Sequence, residues 1–304
     1  MVHVIYDNFY LSNEIEDQFD SYLDLLQFCT VDNSLVGTAG MLRKINVYSA
    51  TDASEKLAMG QGNSGSVNVT YKTKEYRIQL LQDRFTYFDE QAMTDDKLIE
   101  VGTKRISSGM FNETNKDIYS EFNNATMVVP VSSFDFDAFV DAGAMIDNED
   151  LEKVYKFAFI HPSDKAEIRK KLKDDLKYIE AFVKKGYVGT VGDCNIYTKK
   201  NATPGIVIYA TKKAVTYFNK KGTEVEQDRT INTRENEIIA RKYFVVAFTD
   251  ETQAVKMIKG TASLSTDTSV NSSKTYYEAL DTGYVAVTPK SGDKPNDKGW
   301  YEIA

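Results

Sequence analysis

The stretch that decides the fold comprises residues 41–93 and reads MLRKINVYSATDASEKLAMGQGNSGSVNVTYKTKEYRIQLLQDRFTYFDEQAM. Apolar and polar residues alternate around Ile45 and Val47 and again over residues 67–81, which is typical of β-strands. The polar, glycine-rich residues between the two runs indicate the tip of a long β-hairpin. Because a two-stranded hairpin is at best marginally stable in water, we expect this segment to complete its structure on a neighbouring molecule.

The apolar side of the second run changes partway along it. Its apolar residues are Val67, Val69 and Tyr71 at odd positions, then Tyr76, Ile78 and Leu80 at even positions. Since successive side chains of a strand point to opposite faces, the apolar face switches between Tyr71 and Tyr76. A β-bulge would produce this switch, and so would a strand whose two halves contact different partners.

The composition is that of a soluble globular protein and argues against several classes. The 304 residues carry a net charge of −8, whereas a dedicated nucleic-acid binder normally shows a basic excess. Cys29 and Cys194 form neither a CxxC motif nor a ladder of spacings, which favours a reducing, cytosolic origin over a disulfide scaffold. We expect no membrane span and no secretion signal, because no apolar run approaches about 18 residues and residues 1–4 lack a basic segment.

A long amphipathic helix follows the hairpin. It is predicted to begin with Thr94 as its cap and to end near Phe122, a length of about 40 Å. Its apolar stripe comprises Leu98, Ile106, Met110, Ile118 and Phe122, with Thr114 filling the gap. Gly102 and Gly109 each weaken a helix, so we expect close packing or a bend at these two positions.

Shorter helices and strands alternate in the middle of the chain, and this mixed order indicates an α+β fold. A second strong helix is predicted from Asp164 to a C-cap at Gly186. Its stripe is Ile168, Leu172, Leu176, Ile179 and Val183. Strands are predicted at 126–131, 154–160, 194–197 and 206–209, and helices at 134–145, with Phe136, Phe139 and Val140 inward, and around 214–218. Residues 238–248 and 254–258 are predicted to pair as a hairpin across the polar residues 249–252.

The two ends of the chain differ from its middle. Near the N-terminus, Asn13 and Glu16 mark a helix start, and Ile15, Phe19, Tyr22 and Leu26 fall on one helical face. This arm either packs on its own domain or reaches a partner. At the other end, residues 261–273 are rich in Ser and Thr, and the tail that follows either docks on the main body or forms a small appended β module.

The glycines at the hairpin tip match two nucleotide-binding patterns. Gly60, Gly62 and Gly65 reproduce the spacing GxGxxG, but a strand follows where the dinucleotide fingerprint requires a helix. The kinase pattern needs a His-Arg-Asp loop, which a chain containing only His3 and His161 does not have. A flexible loop tip is therefore the preferred interpretation.

Other chemically suggestive residues also have simpler explanations. Asp135, Asp137 and Asp141 could form a carboxylate metal site, but Ser133, Asp135 and Asp137 suit the start of a helix. His161 has no second histidine nearby in sequence, and neither cysteine has a histidine partner nearby in sequence. We therefore predict no catalytic, cofactor-binding or metal-binding residue, and a protein that is not an enzyme.

The order of arm, long β-excursion, long helix, α/β unit and returning strands resembles the major capsid proteins of tailed bacteriophages, which have the Hong Kong 97 type shell fold. The resemblance covers about residues 5–260. It is carried by 31–40 (VDNSLVGTAG), 44–46 (KIN), 84–93 (RFTYFDEQAM), 134–139 (FDFDAF), 159–162 (FIHP) and 237–248 (EIIARKYFVVAF).

This resemblance implies a domain plan. Residues 1–40 would be the N-terminal arm and 41–93 an extension loop lying on an adjacent subunit. Residues 94–131 and 226–260 would form the peripheral domain with its spine helix, and 132–225 the axial domain. Residues 261–304 would be a C-terminal linker and small β tail. Some relatives cross-link a loop lysine to a neighbour, and Lys56 is the lysine nearest the tip here.

The resemblance also implies a function. The chain would assemble with itself into pentamers and hexamers of an icosahedral shell enclosing double-stranded DNA, which it would contact non-specifically. A scaffolding protein, a portal and a decoration protein would be its partners, assembly would occur in the bacterial cytoplasm, and the product would be the virion. Two alternatives stay open: an encapsulin-like nanocompartment shell, and a monomeric carbohydrate-binding protein whose tail exposes Trp300 and Tyr301.

Overall fold

The computed structural model describes residues 23–50, 56, 59–62, 65–95, 97–146, 154–171, 187–191 and 194–303. Within these ranges the chain forms sixteen strands and five α-helices. The helices are α1 (Asp89–Thr94), α2 (Leu98–Phe122), α3 (Phe136–Met145), α4 (Pro162–Lys171) and α5 (Pro295–Lys298). None of these helices combines the length and apolar character needed to cross a membrane.

The first eleven strands are β1 (Thr30–Asp32), β2 (Leu42–Ala50), β3 (Val69–Arg77), β4 (Gln79–Phe88), β5 (Met127–Val131), β6 (Lys156–Ile160), β7 (Tyr187–Val191), β8 (Cys194–Thr198), β9 (Ile206–Thr211), β10 (Val215–Thr230) and β11 (Glu235–Phe248). The last five are β12 (Ala254–Lys259), β13 (Ala262–Leu264), β14 (Tyr276–Ala279), β15 (Tyr284–Val287) and β16 (Tyr301–Ile303).

These strands form three sheets. A four-stranded sheet has the order β1-β10-β11-β4, and a ten-stranded sheet has the order β13-β16-β14-β15-β5-β12-β9-β6-β8-β7. Strands β2 and β3 form a two-stranded sheet of their own. Mixed parallel and antiparallel pairing with helices packed on the sheets gives the predicted α+β class.

The long helix α2 packs on the four-stranded sheet and has the predicted stripe. Ile106, Met110, Thr114, Ile118 and Phe122 are buried. At 25 residues the helix is about 38 Å long. The predicted cap is wrong, because Thr94 is the last residue of α1 and Lys97 precedes α2. The hydroxyl of Thr94 instead donates to the carbonyl of Glu90 at 2.8 Å.

An aromatic cluster joins the end of α2 to the ten-stranded sheet. The Phe122 ring lies 5.6 Å from those of Phe157 and Phe159 on β6, and Phe28 lies 4.8 Å from Phe157. All four rings are fully or almost fully buried. This cluster fixes the long helix relative to both large sheets, since Phe244 of β11 belongs to the same core.

The C-terminal tail is both a small β unit and a docked one. Strand β15 pairs with β5, at Tyr284 with Val128 and Val285 with Met127, so the unit extends the main sheet. Trp300 is only 6% exposed and packs beside Tyr276 at 5.9 Å. The expected exposure of Trp300 as a carbohydrate platform is therefore wrong.

Two local predictions are wrong because long-range pairing decides the outcome, and a third is wrong in part. Residues 214–218 are not helical but begin strand β10, which pairs with β1 and β11. Strands β11 and β12 lie in different sheets and do not form the predicted hairpin. Phe136 and Val140 of α3 are exposed, and Phe139 packs inward with Ala138 and Ala142.

The second strong helix is described only over α4, which begins at Pro162, two residues before the predicted start. Of its predicted stripe, Ile168 is buried. Leu172, Leu176, Ile179, Val183 and the predicted C-cap Gly186 lie outside the described residues. Most of the predicted N-terminal helix lies outside them as well. Its predicted continuation to Leu26 is wrong, because Asp24 is extended and Leu26 belongs to a separate short 3-10 helix, Leu25–Phe28.

Substituting Gly102 by Ala should destabilise the chain, although Gly to Ala in a helix normally stabilises by about 1 kcal/mol. A Cβ at Gly102 would lie 2.5 Å from the ring of Phe85, so we expect a net loss of about 1–3 kcal/mol in the unfolding free energy. Urea denaturation measures this loss.

Two matched variants test the cause of that loss. Gly109→Ala should cost less, because its Cβ would meet only the Asp83 carboxylate oxygen at 2.9 Å. The double change Gly102→Ala with Phe85→Leu should recover much of the loss through coupling at the contact. A stabilising Gly102→Ala would contradict the packing described above.

Candidate functional site

The candidate site is the projecting hairpin, formed by β2, β3 and the residues between them. The two strands pair antiparallel from Leu42 with Arg77 to Ala50 with Val69. This two-stranded sheet has no strand pairing with either large sheet in the described chain. The predicted long hairpin is therefore present, and it reaches away from the main body.

Two glycines at the tip of the projecting hairpin, Gly60 and Gly62, lie in open space. A Cβ placed at Gly60 or Gly62 would find no atom within 4 Å, and Met59 is fully exposed. Gly60 has a positive φ of 86°, which suits a turn. The GxGxxG residues thus lie at a solvent-facing tip, and Lys56 is also exposed there.

The outer half of the hairpin presents an apolar face to solvent. Tyr71 is 65% exposed, and Val67 and Val69 are each more than half exposed. Contiguous exposed apolar side chains on a β-surface mark an interaction site or an aggregation hazard. These three residues are the apolar residues at odd positions that the sequence pattern placed on one face of the strand.

The predicted switch between Tyr71 and Tyr76 is wrong, because β3 pairs with β2 without a register shift from Val69 to Arg77, and the strand is interrupted at Ile78 instead. Strand β3 ends at Arg77, and β4 begins at Gln79 and pairs with β11 in the four-stranded sheet. Ile78 between them is buried, and its N–H donates to the Met41 carbonyl at 2.9 Å. Leu80 is 48% exposed, so its predicted place on the inward face is wrong. The chain thus passes from one sheet to another instead of forming a bulge.

A compact cluster holds the base of the projecting hairpin. Leu35, Ile78, Phe218, Val245 and Ala247 are buried together, with Ile45, Tyr76 and Tyr243 packed against them. The Tyr76 hydroxyl donates to the Phe248 carbonyl at 3.2 Å. The Lys74 ammonium pairs with Glu251, and the Arg43 guanidinium lies 5.0 Å from the Phe218 ring. The base is therefore fixed to the main body, whereas the outer half is not.

Two carboxyl groups of α2 lie beside this base. Glu121 and Asp117 line a cavity of about 280 Å³ together with Tyr76 and Arg77. Burial raises the pKa of Glu121, and the Asp117 carboxylate adds to this increase. Burial likewise raises the pKa of Asp117, with a further contribution from Glu113. The fold therefore favours the neutral form of both groups.

The other chemically suggestive residues lie apart from the hairpin and have structural partners. Asp135 is the N-cap of α3 and accepts from the Ala138 N–H at 3.1 Å and from the Ser133 hydroxyl at 2.8 Å. His161 Nδ1 lies 2.6 Å from the Ser163 hydroxyl at the start of α4. Among the described residues, no three His, Cys, Asp or Glu side chains come together as metal ligands would.

Both cysteines are buried thiols. Burial, with a contribution from Asp24, raises the pKa of Cys29 to about 12. Burial also raises the pKa of Cys194 well above its usual value. Since the thiolate is the reactive form, neither residue is placed as a nucleophile.

Sequence reasoning missed strand β10, whose far half pairs with β11 and leads into an exposed turn. Val225 and Ile231 are exposed there, Ile231 by 86%, and Arg234 has a positive φ of 56° in the turn. Residues 223–230 contain a single apolar residue, Val225, so no alternation of polar and apolar residues marked this strand in the sequence.

The chain is similar to capsid proteins of known sequence and structure. It is 23% identical over 267 residues to the major capsid protein of Staphylococcus phage phiMR11, a match covering 84% of this chain and 93% of that one. The head structure of Helicobacter pylori bacteriophage KHP40 superposes with a TM-score of 0.61 at 9% identity, over 84% of this chain and 98% of that chain. No protein-family model matches the chain.

A virus-like particle from Pyrococcus furiosus is also similar. Its chain superposes with a TM-score of 0.53 at 14% identity, over 81% of this chain and 95% of that chain. The shared fold therefore extends beyond structures named as phage heads.

Stability should fall as the pH rises above the unfolded pKa of 4.5, in part through Glu121. A carboxyl whose folded pKa is raised contributes stability below its unfolded pKa of 4.5, and this contribution is lost as the pH rises through the folded value. Glu121→Gln should therefore make stability depend less on pH. The variant should be more stable than the parent at pH 8 and about equally stable at pH 5. Thermal unfolding across this range measures the effect.

Glu100→Gln on the same helix is the matched control. The hydrogen bond from Lys104 lowers the pKa of Glu100, so this substitution should not weaken the loss of stability with rising pH. If the thermal stability of the parent and of Glu121→Gln depends on pH in the same way, Glu121 does not contribute to the loss of stability.

Proposed function

We propose that this chain, which has the Hong Kong 97 type shell fold, is the major capsid protein of a tailed bacteriophage. It assembles with itself into the pentamers and hexamers of an icosahedral shell that encloses double-stranded DNA. The observation that carries this proposal is the projecting hairpin, whose outer apolar face is uncovered in the described chain. In a closed symmetric shell each hairpin lies on a neighbour, so assembly removes that exposure.

The charge of the chain suits a container for DNA. With a net charge of −8, the subunit has no excess of cations to bind phosphates tightly. Contact with packaged DNA is therefore non-specific and weak, which leaves the DNA free to be packed and released. We infer a structural role for the chain.

Finer parts of the proposal come from the family resemblance. The partners are a scaffolding protein, a portal and a decoration protein, assembly occurs in the bacterial cytoplasm, and the mature location is the virion. The division into arm (1–40), extension loop (41–93), peripheral domain (94–131 and 226–260), axial domain (132–225) and tail (261–304) stays a prediction. Cross-linking through Lys56 has no partner residue that we can name.

The alternative function with an observation in its favour is an encapsulin-like nanocompartment shell. The similarity to the Pyrococcus furiosus particle supports this candidate, because that particle is not named as a phage head. The contents of purified particles separate the two functions. Encapsidated DNA supports the phage shell, and a single copurified cargo protein supports the nanocompartment.

Deleting residues 50–66 should leave a folded, soluble subunit that cannot close shells. The described residues among those removed make no strand pairing with the main body, so the unfolding free energy should change by less than about 1 kcal/mol. Light scattering should detect shells from the parent and only subunits or open rings from the variant. Closed shells from the deletion variant would contradict the proposed role, and an unfolded variant would place the tip in the chain's own core.

A gentler variant separates assembly from folding. Changing Val69 and Tyr71 to Thr keeps β-forming residues at exposed positions, so stability should change by no more than about 0.5 kcal/mol. If a neighbour covers these side chains, the protein concentration required for assembly should rise about tenfold or more.

Leu264→Thr is the matched control, because Leu264 is an exposed apolar strand residue in the C-terminal unit. It should leave the assembly threshold near that of the parent. Equal thresholds for the parent and the Val69/Tyr71 variant would show that the apolar face is not used in assembly.

A further inference from the structure

An open groove runs between α2 and the far half of the β10–β11 hairpin, and we call it the spine groove. Its volume is about 340 Å³. Its lining is mainly apolar and includes Ile106, Met110, Phe111, Val225, Ile238 and Lys242. A groove of this kind between packed elements is the usual seat of an amphipathic helix.

One row of side chains on α2 links this groove to the start of the described chain. Thr103, Ser107, Phe111 and Asn115 are spaced by four residues and so share one helix face. The first three line the groove. Buried Asn115 holds the incoming main chain, donating from Nδ2 to the Leu23 carbonyl at 2.9 Å and accepting from the Leu25 N–H at 3.0 Å. The chain before Leu23 therefore arrives at one end of the groove.

The charges of the groove and of the preceding residues are complementary. Lys242 is the charged residue among the described side chains that line the groove. Its ammonium donates to the Thr114 hydroxyl, and no carboxylate of the described residues forms a salt bridge with it. Burial lowers the pKa of Lys242, and the charges of Asp117 and Asp24 only partly oppose this, so a further carboxylate nearby would stabilise the charged form. Residues 1–22 contain no Lys or Arg and five carboxylates, Asp7, Glu14, Glu16, Asp17 and Asp20.

We propose that residues 13–22 of the same chain occupy the spine groove as an amphipathic helix. Ile15, Phe19 and Tyr22 pack against α2, and the carboxylates lie toward Lys242 and solvent. Ten helical residues span about 15 Å, and the distance along α2 from Thr103 to Phe111 is about 12 Å, so the lengths agree. Since this segment continues directly into Leu23, docking within one chain requires closure of only a very short loop.

This inference goes beyond the proposed function, because it concerns a contact inside one subunit, whatever that subunit assembles into. It assigns the amphipathic arm to its own domain, the first of the two roles left open by the sequence. The same groove could instead hold the arm or the projecting hairpin of a neighbouring subunit. The experiment below distinguishes occupancy by the same chain from occupancy by a neighbour.

Cross-linking in the full-length chain tests the proposal. Ile15→Cys is paired with Ser107→Cys, and a short bis-maleimide that joins only adjacent side chains is added to dilute subunits and to assembled protein. The native thiols of Cys29 and Cys194 react slowly because both are buried with raised pKa values. Ile15→Cys with Glu113→Cys is the control pair, since Glu113 lies on α2 about 9 Å along the axis from Ser107 and lines a different cavity.

We expect a link within one chain at position 107 and little at position 113, in dilute and assembled protein alike. Denaturing gels separate links within a chain from links between chains, and peptide mass spectrometry locates them. Links between chains, equal linking at both positions, or no link at 107 would each overturn the proposal.

A second measurement does not depend on the cross-linker. With Ser107→Cys as the introduced thiol, adding Phe19→Asp should speed its labelling by a monofunctional maleimide about tenfold, because the groove is then uncovered more often. Labelling of Glu113→Cys should not change. An unchanged rate at position 107 would overturn the proposal, whether or not shells form.

Discussion

The architecture depends on one constraint: the projecting hairpin cannot bury its own outer face. Strands β2 and β3 pair along their facing edges, yet Val67, Val69 and Tyr71 remain exposed on one side. Two strands alone provide too little buried apolar area to be stable in water. The hairpin must therefore be held at its base by its own chain and covered along its outer half by another molecule.

The base is held through a continuous path to the long helix. Strand β3 passes at Ile78 into β4, which pairs with β11 and carries Phe85 against Gly102 of α2. The opposite end of α2 is fixed by the aromatic cluster around Phe122, which includes residues of the ten-stranded sheet. Because interiors this closely packed resist deformation, the direction in which the hairpin projects is set by the whole domain. That rigidity suits a subunit that must present the same contact to every neighbour.

Much of this was predictable because it rests on local periodicity. The alternation around Ile45 and Val47 and the four-residue stripe from Ile106 to Phe122 determine strand and helix with little help from distant residues. Partner choice was not predictable, since strands β11 and β12 join different sheets although a polar turn separates them. The base of the hairpin depends on contacts of Tyr76 with Phe248 and of Lys74 with Glu251, more than 170 residues away, which no local pattern encodes. Trp300 likewise became a core residue only because the C-terminal unit folds around it.

The most direct test of the account is a density map of the particle formed by the purified full-length chain, by cryo-electron microscopy. The account predicts a closed shell of pentamers and hexamers in which each projecting hairpin lies on the adjacent subunit and covers Val69 and Tyr71. A chain that stays monomeric at every concentration, or a shell whose hairpins point into solvent or fold back on their own subunit, would contradict it.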